Sequence, residues 1–257
     1  MKSNKLFTII LLLSFMLLMS CSKDDGNPAE PGAGNNTGNT NNSGQPMPSI
    51  AQSGDGVLAT ISYEFSTVPG FPAAALTMGF AQFGNGVDAG NVSVNSNSLG
   101  KTSQGSTTFY ISPSPSNPTQ TLTGVNFDGS NHNWQVGGSG NVSQFNGSVS
   151  SPTNFSVSSP ANNASVSKAN GINVSWNNSS ASSRVLVVLA PVDNSGSYYS
   201  SDVNDSGSHT IASADLSGFS GQCMLQVVKY TYNSASSGGK TYYLVAEIVK
   251  SLTITLN

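Results

Sequence analysis

The most conspicuous deficit of this 257-residue sequence is charge. Only 8% of its residues are Asp, Glu, Lys or Arg, against about 25% in typical soluble domains. The formal net charge is −3, and the few basic residues form no patch that would release counterions from nucleic acid. We therefore expect no nucleic-acid partner, and a surface whose polarity comes from Ser, Thr, Asn and Gly.

Catalytic side chains are scarce as well. The chain has two histidines, His132 and His209, and no Gly-x-Ser-x-Gly, His-Glu-x-x-His or phosphate-cradling glycine loop. The sequence therefore contains no recognisable motif for acyl transfer or for metal-dependent hydrolysis. The paired carboxylates of a glycosidase meet in space rather than in sequence, so a hydrolase stays open as an alternative. The sequence favours a protein that is not an enzyme.

No stretch combines helical periodicity with capping residues. Residues 57–65 instead alternate apolar and polar side chains, which predicts a half-buried strand. Further short strands follow, separated by turn signals such as Phe-Gly-Asn-Gly at 83–86 and Ser-Pro-Ser-Pro at 112–115. Many short strands at this spacing predict an all-β protein built from antiparallel β-sandwiches.

The N-terminal segment has the features of an export signal. Lys2 and Lys5 precede an apolar run at 6–19, which is too short to span a bilayer. The run ends in Leu-Met-Ser-Cys21, which resembles the lipobox of bacterial lipoproteins. The resemblance implies that signal peptide 1–20 is removed and that the acylated Cys21 anchors the chain in a membrane. An ordinary secretory signal with an incidental cysteine is the alternative.

The residues after Cys21 indicate a location. Lys23, Asp24 and Asp25 resemble the Lys-acidic-acidic tag of gram-negative bacteria that export lipoproteins to the cell exterior. The resemblance implies an outer-membrane lipoprotein that faces outwards, whereas a charged start to a solvated linker is the alternative. Residues 26–48 contain no aromatic and no β-branched aliphatic residue, so we predict that segment 21–50 is the lipidated N-terminus followed by a disordered tether.

Two β-sandwich modules are expected after the tether. We predict a first module over residues 51–151 and a second over residues 152–257. The junction between them is short and contains Pro152 and Pro160. Because proline stiffens a linker, we expect the modules to stack end to end with limited swing.

The second module resembles a fibronectin type III or related immunoglobulin-like domain. Trp176 stands where that family has the buried tryptophan of its second strand, and the apolar run 184–190 follows as a third strand. Cys223 stands where the family favours a tyrosine, although the approach over 216–228 is otherwise similar. The apolar run around Cys223 also predicts a buried, inert thiol. No family is named for the first module.

One acidic segment is a candidate calcium site. Asp202, Asn204 and Ser206 alternate before Gly207, which resembles the first half of a calcium-binding loop. The bidentate Glu of such a loop is missing, because Ser213 stands at its twelfth position. A long turn in which these side chains bond their own backbone is the alternative. Calcium is thus the one candidate cofactor, and we expect no other.

Three aromatic residues are candidate ligand-binding residues. Trp134 shares a strand face with His132 and Val136, which favours burial, but its polar neighbours also allow an exposed ring that stacks on a sugar. Tyr198 and Tyr199 adjoin the acidic segment and either form a contact surface or cover the end of the sandwich.

These features together predict a lipid-anchored, non-enzymatic binding or accessory protein on the surface of a gram-negative outer membrane. Its expected partner is an outer-membrane protein or an extracellular glycan. A carbohydrate-binding module and a cryptic glycoside hydrolase are the two alternatives.

Overall fold

The computed structural model describes residues 54–65, 74–192 and 199–257. Within these ranges almost all regular structure is β, and the only helical pieces are two 3-10 turns at Lys168–Asn170 and Ser213–Leu216. The all-β prediction is confirmed. The strands are β1 Gly56–Phe65, β2 Ala74–Phe83, β3 Val92–Val94, β4 Asn97–Ser98, β5 Gly100–Gln104, β6 Thr107–Ser112, β7 Asn131–Val136, β8 Phe145–Ser150, β9 Val157–Ser159, β10 Ala164–Val166, β11 Ile172–Trp176, β12 Arg184–Pro191, β13 Tyr199–Asn204, β14 Ser208–Ile211, β15 Gly221–Ser237 and β16 Lys240–Leu256.

These strands form one large sheet and two small ones. The large sheet has the order β13-β12-β15-β16-β1-β2-β6-β5, and β10 pairs with β16 as its ninth strand. The four-stranded sheet has the order β4-β3-β7-β8, and the three-stranded sheet has the order β14-β11-β9. Pairing is antiparallel except where β16 runs parallel to β1 and to β10.

The hairpin of β15 and β16 is the centre of the large sheet. Each strand has 17 residues, and the two pair along their whole length. The middle of β16 pairs with β1, and its last residues, Ile254 to Leu256, pair with β10. The structure therefore corrects the expected division between residues 151 and 152. Strands from both predicted modules join one sheet, and β1 takes its parallel partner from the C-terminal end of the chain.

One face of this sheet carries two cores. The first core lies under the four-stranded sheet and contains Tyr242 and Leu244 of β16. The second core lies under the three-stranded sheet and contains Ile254 and Leu256 of the same strand. Cys223 is fully buried in the second core, as its apolar neighbours predict. Alternate residues of one long strand thus serve two separate cores.

The opposite face of the large sheet holds a third buried cluster. It combines side chains of β1, β12, β15 and β16, because the residues between those of the two cores point to this side. Its buried members are Ala59, Ile61, Leu186, Val188, Val228, Tyr230, Val245 and Val249.

Side chains of β15 hold the free edge of the four-stranded sheet. The Thr231 hydroxyl donates to the Ser150 carbonyl, and Asn233 Nδ2 donates to the Ser148 carbonyl at 2.9 Å. The Ser237 hydroxyl donates in the same way to the carbonyl of Gln144, at 3.0 Å. The backbone of β8 is thereby fixed to the large sheet, and two carbonyl groups along its edge are satisfied by side chains. Within the described ranges, none of the helical pieces is long and apolar enough to cross a membrane.

Candidate functional site

Several of the predicted site residues lie outside the described residues. These are the lipidation candidate Cys21, the tag residues Lys23, Asp24 and Asp25, and Tyr198. The remaining candidates all lie in described strands or just beyond them.

Trp134 is a core residue. Strand β7 alternates strictly, so that His132, Trp134 and Val136 point inwards while Asn133 and Gln135 point outwards. Only 1% of Trp134 is exposed, and the ring packs in the first core. The interpretation of Trp134 as an exposed sugar-stacking residue is corrected, because stacking needs an accessible ring face.

His132 is a buried structural residue beside it. Its Nδ1 lies 2.6 Å from the Thr60 hydroxyl, and its Nε2 lies 2.9 Å from the Asn126 carbonyl. A carbonyl only accepts, so Nε2 carries the proton and Nδ1 accepts from Thr60. Burial lowers the pKa of His132. The neutral ring thus has both nitrogens satisfied and links β1 to the four-stranded sheet.

Tyr199 is also mostly buried. Its hydroxyl lies 2.6 Å from Nε2 of His209, and the two rings stack with centroids 6.1 Å apart. Only 9% of Tyr199 is exposed, and the ring belongs to the second core. The interpretation of Tyr199 as part of a contact surface is therefore corrected. The burial of its ring agrees with the other interpretation, in which Tyr199 covers the end of the sandwich.

The calcium candidates surround an arginine. Arg184 Nε lies 3.0 Å from Oδ1 of Asp202, and Arg184 Nη1 lies 3.0 Å from Oδ1 of Asn204. The Tyr230 hydroxyl donates to the other carboxylate oxygen of Asp202 at 2.7 Å. Asp202 and Asn204 lie in strand β13, and Ser206 donates to a nearby backbone carbonyl. The calcium-loop interpretation is corrected, because these oxygens face a guanidinium instead of converging on a cation. Among the described residues, His, Cys, Asp and Glu side chains form no group of three or more suited to a metal ion.

Three of the remaining carboxylates stabilise the fold through ion pairs. Asp88 pairs with Lys101 at 2.5 Å, Glu64 pairs with Lys250, and Asp205 pairs with Lys229 at 3.1 Å. Each of these carboxylates is held in place by its lysine.

Glu247 lies in different surroundings and forms no ion pair with another described residue. It lies on the third-cluster face of β16, level with Ile61 of β1 and Tyr230 of β15. Burial raises its pKa to about 7. Its neighbours along this face of β16 are Val245 and Val249, both buried. Glu247 is thus a half-buried carboxyl group with apolar neighbours on its own strand, and these neighbours do not supply the second carboxylate that a glycosidase requires.

A groove on the outer face of the four-stranded sheet collects neutral polar side chains. It has a volume of about 260 Å³. We call it the amide groove, and it is lined by Asn91, Ser93, Gln135, Gln144 and Asn146, together with Val136 and Gly137. Ser93 of β3, Gln135 of β7 and Asn146 of β8 lie side by side, because the pairing register places them level across the three strands.

The amides of this groove differ from most other surface amides. Asn97, for example, is fully used: its Nδ2 donates to the Thr123 carbonyl at 2.8 Å, and its Oδ1 accepts from the Thr123 N–H at 2.9 Å. In contrast, the side chains of Gln135, Gln144 and Asn146 form no hydrogen bond with other described residues. The groove therefore presents donors and acceptors that the fold does not consume.

A second hollow of about 330 Å³ lies on the other side of β3 and shares Asn91 and Ser93 with the groove. A glycine fixes the backbone next to Asn91, which lines both the amide groove and this hollow. Gly90 has φ +75°, and a Cβ there would lie 2.6 Å from the Gly138 carbonyl oxygen. No other residue fits at Gly90 without moving this backbone, so the position of Asn91 depends on it.

Sequence reasoning missed the amide groove, although one signal for it was present. The alternation of β7 already placed Asn133 and Gln135 on the outer face. The nearness of Ser93 and Asn146 depends on strand register, which a single sequence does not reveal.

Comparison with known proteins gives no further guidance: no protein-family model matches the chain, and no curated protein or solved structure shows significant similarity to it.

Proposed function

We propose that the protein is a lipid-anchored surface protein of a gram-negative outer membrane that binds an uncharged extracellular glycan in the amide groove, without catalysis. The observation that carries the proposal is the convergence of unused amides, Gln135, Gln144 and Asn146, with the Ser93 side chain in one uncharged groove. Half of the described carboxylates, namely Glu64, Asp88, Asp202 and Asp205, are engaged in ion pairs, which supports a binding role rather than a catalytic one.

The chemistry of the groove suits sugar hydroxyls. An amide offers two donors and one acceptor oxygen, and a sugar hydroxyl both donates and accepts. The groove contains no charged side chain, and Lys101 in the adjoining hollow is paired with Asp88. A neutral lining favours a neutral ligand, because it offers no charge to compensate an anion or a cation.

The expected affinity is weak. Each hydrogen bond contributes about 0.5–1.5 kcal/mol net, and the volume of about 260 Å³ is close to the lower end of ligand sites, about 300 Å³. One or two sugar residues would fit, with a dissociation constant on the order of 1 mM to 100 µM. Many anchored copies in one membrane would bind a long polysaccharide more tightly through multivalency.

The lipobox resemblance at Cys21 and the tag at Lys23, Asp24 and Asp25 support the membrane anchor and the outward location. Replacement of Cys21 by Ala should release the protein from the membrane fraction, whereas unchanged membrane retention would contradict the anchor.

Binding of the detergent-purified full chain to immobilised neutral and anionic polysaccharides tests the function. Gln135→Ala and Asn146→Ala should each weaken binding to a neutral polysaccharide about 2- to 10-fold, the loss of one hydrogen bond. Asn133→Ala is the matched control, because Asn133 also points outwards from β7 but does not line the groove.

Two results would contradict the proposal: retention on no neutral polysaccharide, or equal binding by the groove variants and the wild type. In that case crosslinking in intact cells would test the alternative, an accessory subunit that copurifies with an outer-membrane protein.

A further inference from the structure

The second core encloses an ion pair between Lys229 and Asp205. Neither side chain has any exposed surface, and Nζ of Lys229 lies 3.1 Å from Oδ2 of Asp205. Lys229 projects from the middle of β15 and lies over the ring of Phe155, 4.8 Å from its centroid. This differs from the pair of Lys101 and Asp88, whose side chains are 48% and 44% exposed.

Two N–H groups hold the carboxyl group of Asp205. Trp176 Nε1 donates to Oδ1 at 2.6 Å, and the Ser180 backbone N–H donates to Oδ2 at 3.0 Å. The carboxyl carbon is thereby fixed in one orientation beside Lys229. The same donors would stabilise negative charge that develops on these oxygens during a reaction.

Two carbonyl groups hold the amino group of Lys229. Its Nζ donates to the Asn178 carbonyl at 2.6 Å and approaches the Asn177 carbonyl at 3.4 Å. An amine that has lost one proton keeps two N–H groups, which these two carbonyls can accept. Its lone pair is then left on the side of Asp205.

Burial also favours the neutral form of Lys229. Moving a lysine and a carboxylate out of water costs several kcal/mol per ion, and desolvation lowers the pKa of Lys229. Transfer of one proton from Nζ to Oδ2 removes both charges and leaves a neutral amine beside a neutral carboxylic acid. These are the nucleophile and the electrophile of amide formation.

We propose that Lys229 and Asp205 become joined by an intramolecular isopeptide bond in the folded protein. After proton transfer to Oδ2, the lone pair of Nζ attacks the carboxyl carbon, and the negative charge on Oδ1 is stabilised by the N–H of Trp176. Nζ then passes a second proton to Oδ2, which leaves as water. One C–N bond forms, one C–O bond breaks, one water molecule is released, and no redox partner is needed.

The fold supplies what this reaction needs. Holding the two groups together in a fixed geometry replaces a bimolecular encounter, an effect that reaches effective concentrations of about 10⁵ M or more. The product keeps one N–H for the Asn178 carbonyl and one carbonyl oxygen for Trp176. It also closes the chain between residues 205 and 229, which restricts the unfolded state much as a disulfide does.

Peptide mass analysis of the purified full chain, unfolded and digested with trypsin, tests the bond. Residues 185–229 contain no internal Lys or Arg, and the next tryptic site is Lys240. An amidated Lys229 resists trypsin, so we expect a peptide spanning 185–240 whose mass is lower by one water molecule. The Lys229→Arg variant should instead be cleaved after residue 229, and the Lys101→Arg variant should behave as the wild type does.

The Lys229→Arg variant also distinguishes the isopeptide bond from a second reaction that loses water. Cyclisation of Asp205 onto the backbone of Ser206 would lower the mass equally, but it would leave Lys229 cleavable and would persist in Lys229→Arg. The proposal is overturned if the wild type yields mainly a peptide that ends at Lys229, whatever its mass.

Discussion

The two halves of the large sheet bury polar groups in opposite ways. Beside the first core, the buried polar group is the neutral ring of His132, satisfied by the Thr60 hydroxyl and the Asn126 carbonyl. In the second core it is the pair of Lys229 and Asp205, surrounded by N–H and carbonyl groups. The same β15–β16 hairpin supports both.

The two halves also differ in the polar side chains on their outer surfaces. The four-stranded sheet over the first core exposes the amide groove, whose side chains are not consumed by the fold. The second core binds its most polar side chains to each other, and Asp202 and Asn204 at its edge are engaged by Arg184. The first half therefore retains free polar groups for a ligand, whereas the second uses them to fix strands and loops.

The largest effect should come from removing one member of the buried pair. Lys229→Ala leaves the Asp205 carboxyl group buried without its partner and removes the proposed isopeptide bond, which should lower the free energy of unfolding by about 3–5 kcal/mol. Lys101→Ala breaks an exposed pair and should cost about 0–1 kcal/mol. Urea unfolding followed by circular dichroism measures both. Equal losses for the two variants would contradict the difference between the halves.

The second-largest effect on stability should come from the ionisation of Glu247, which lies in β16, a strand that both halves share. Its folded pKa of about 7 exceeds the ordinary 4.5, so the folded state holds its proton more tightly. The associated stability is fully present below pH 4.5 and is lost as the pH rises through about 7, on the order of 3 kcal/mol in total.

Glu247→Gln keeps the shape without the titration. The wild type should lose stability relative to this variant between about pH 5 and pH 8, as measured by the urea midpoint at each pH. The titration of His132 is common to both proteins and cancels in the comparison. A constant difference over this range would show that Glu247 is not perturbed.

The two tryptophans provide a matched test of about 1–3 kcal/mol. Trp134→Phe and Trp176→Phe remove the same volume from the two cores. The indole N–H of Trp134 has no partner within the described chain, whereas that of Trp176 donates to Asp205. Trp176→Phe should therefore be the more destabilising, by the cost of a buried carboxyl oxygen that loses its donor. A larger loss for Trp134→Phe would reverse the comparison.

The smallest effect on stability should come from a substitution in the amide groove. Gln135 is exposed and forms no hydrogen bond with described residues, so Gln135→Ala should change the free energy of unfolding by less than about 0.5 kcal/mol. Thermal unfolding and polysaccharide binding measured on the same preparation would separate the two roles. A loss of stability together with binding would mean that the residue supports the fold.

Much of the local structure was predictable because it depends on nearby residues. The alternation over residues 57–65 predicts β1, and the apolar runs around Trp176 and Cys223 predict their burial. Alternation also gave the correct face for His132, but it left Trp134 open, because it separates the two faces of a strand without showing which one is covered.

Long-range pairing was not predictable in the same way. The parallel pairing of β1 with β16 joins residues nearly the whole described chain apart, and no local pattern specifies such a partner. The calcium interpretation failed for a related reason. The spacing of Asp202 and Asn204 is visible in the sequence, but Arg184 meets them only through the pairing of β12 with β13.

The central claim is that the shared hairpin makes the two halves one folding unit, and the two tryptophans of the chain allow a direct test. Trp176→Phe leaves Trp134 to report on the first core, and Trp134→Phe leaves Trp176 to report on the second. In each variant, urea unfolding followed by fluorescence and by circular dichroism should give superimposable curves. A fluorescence transition displaced from the circular dichroism transition would show that the halves unfold separately and would contradict the account.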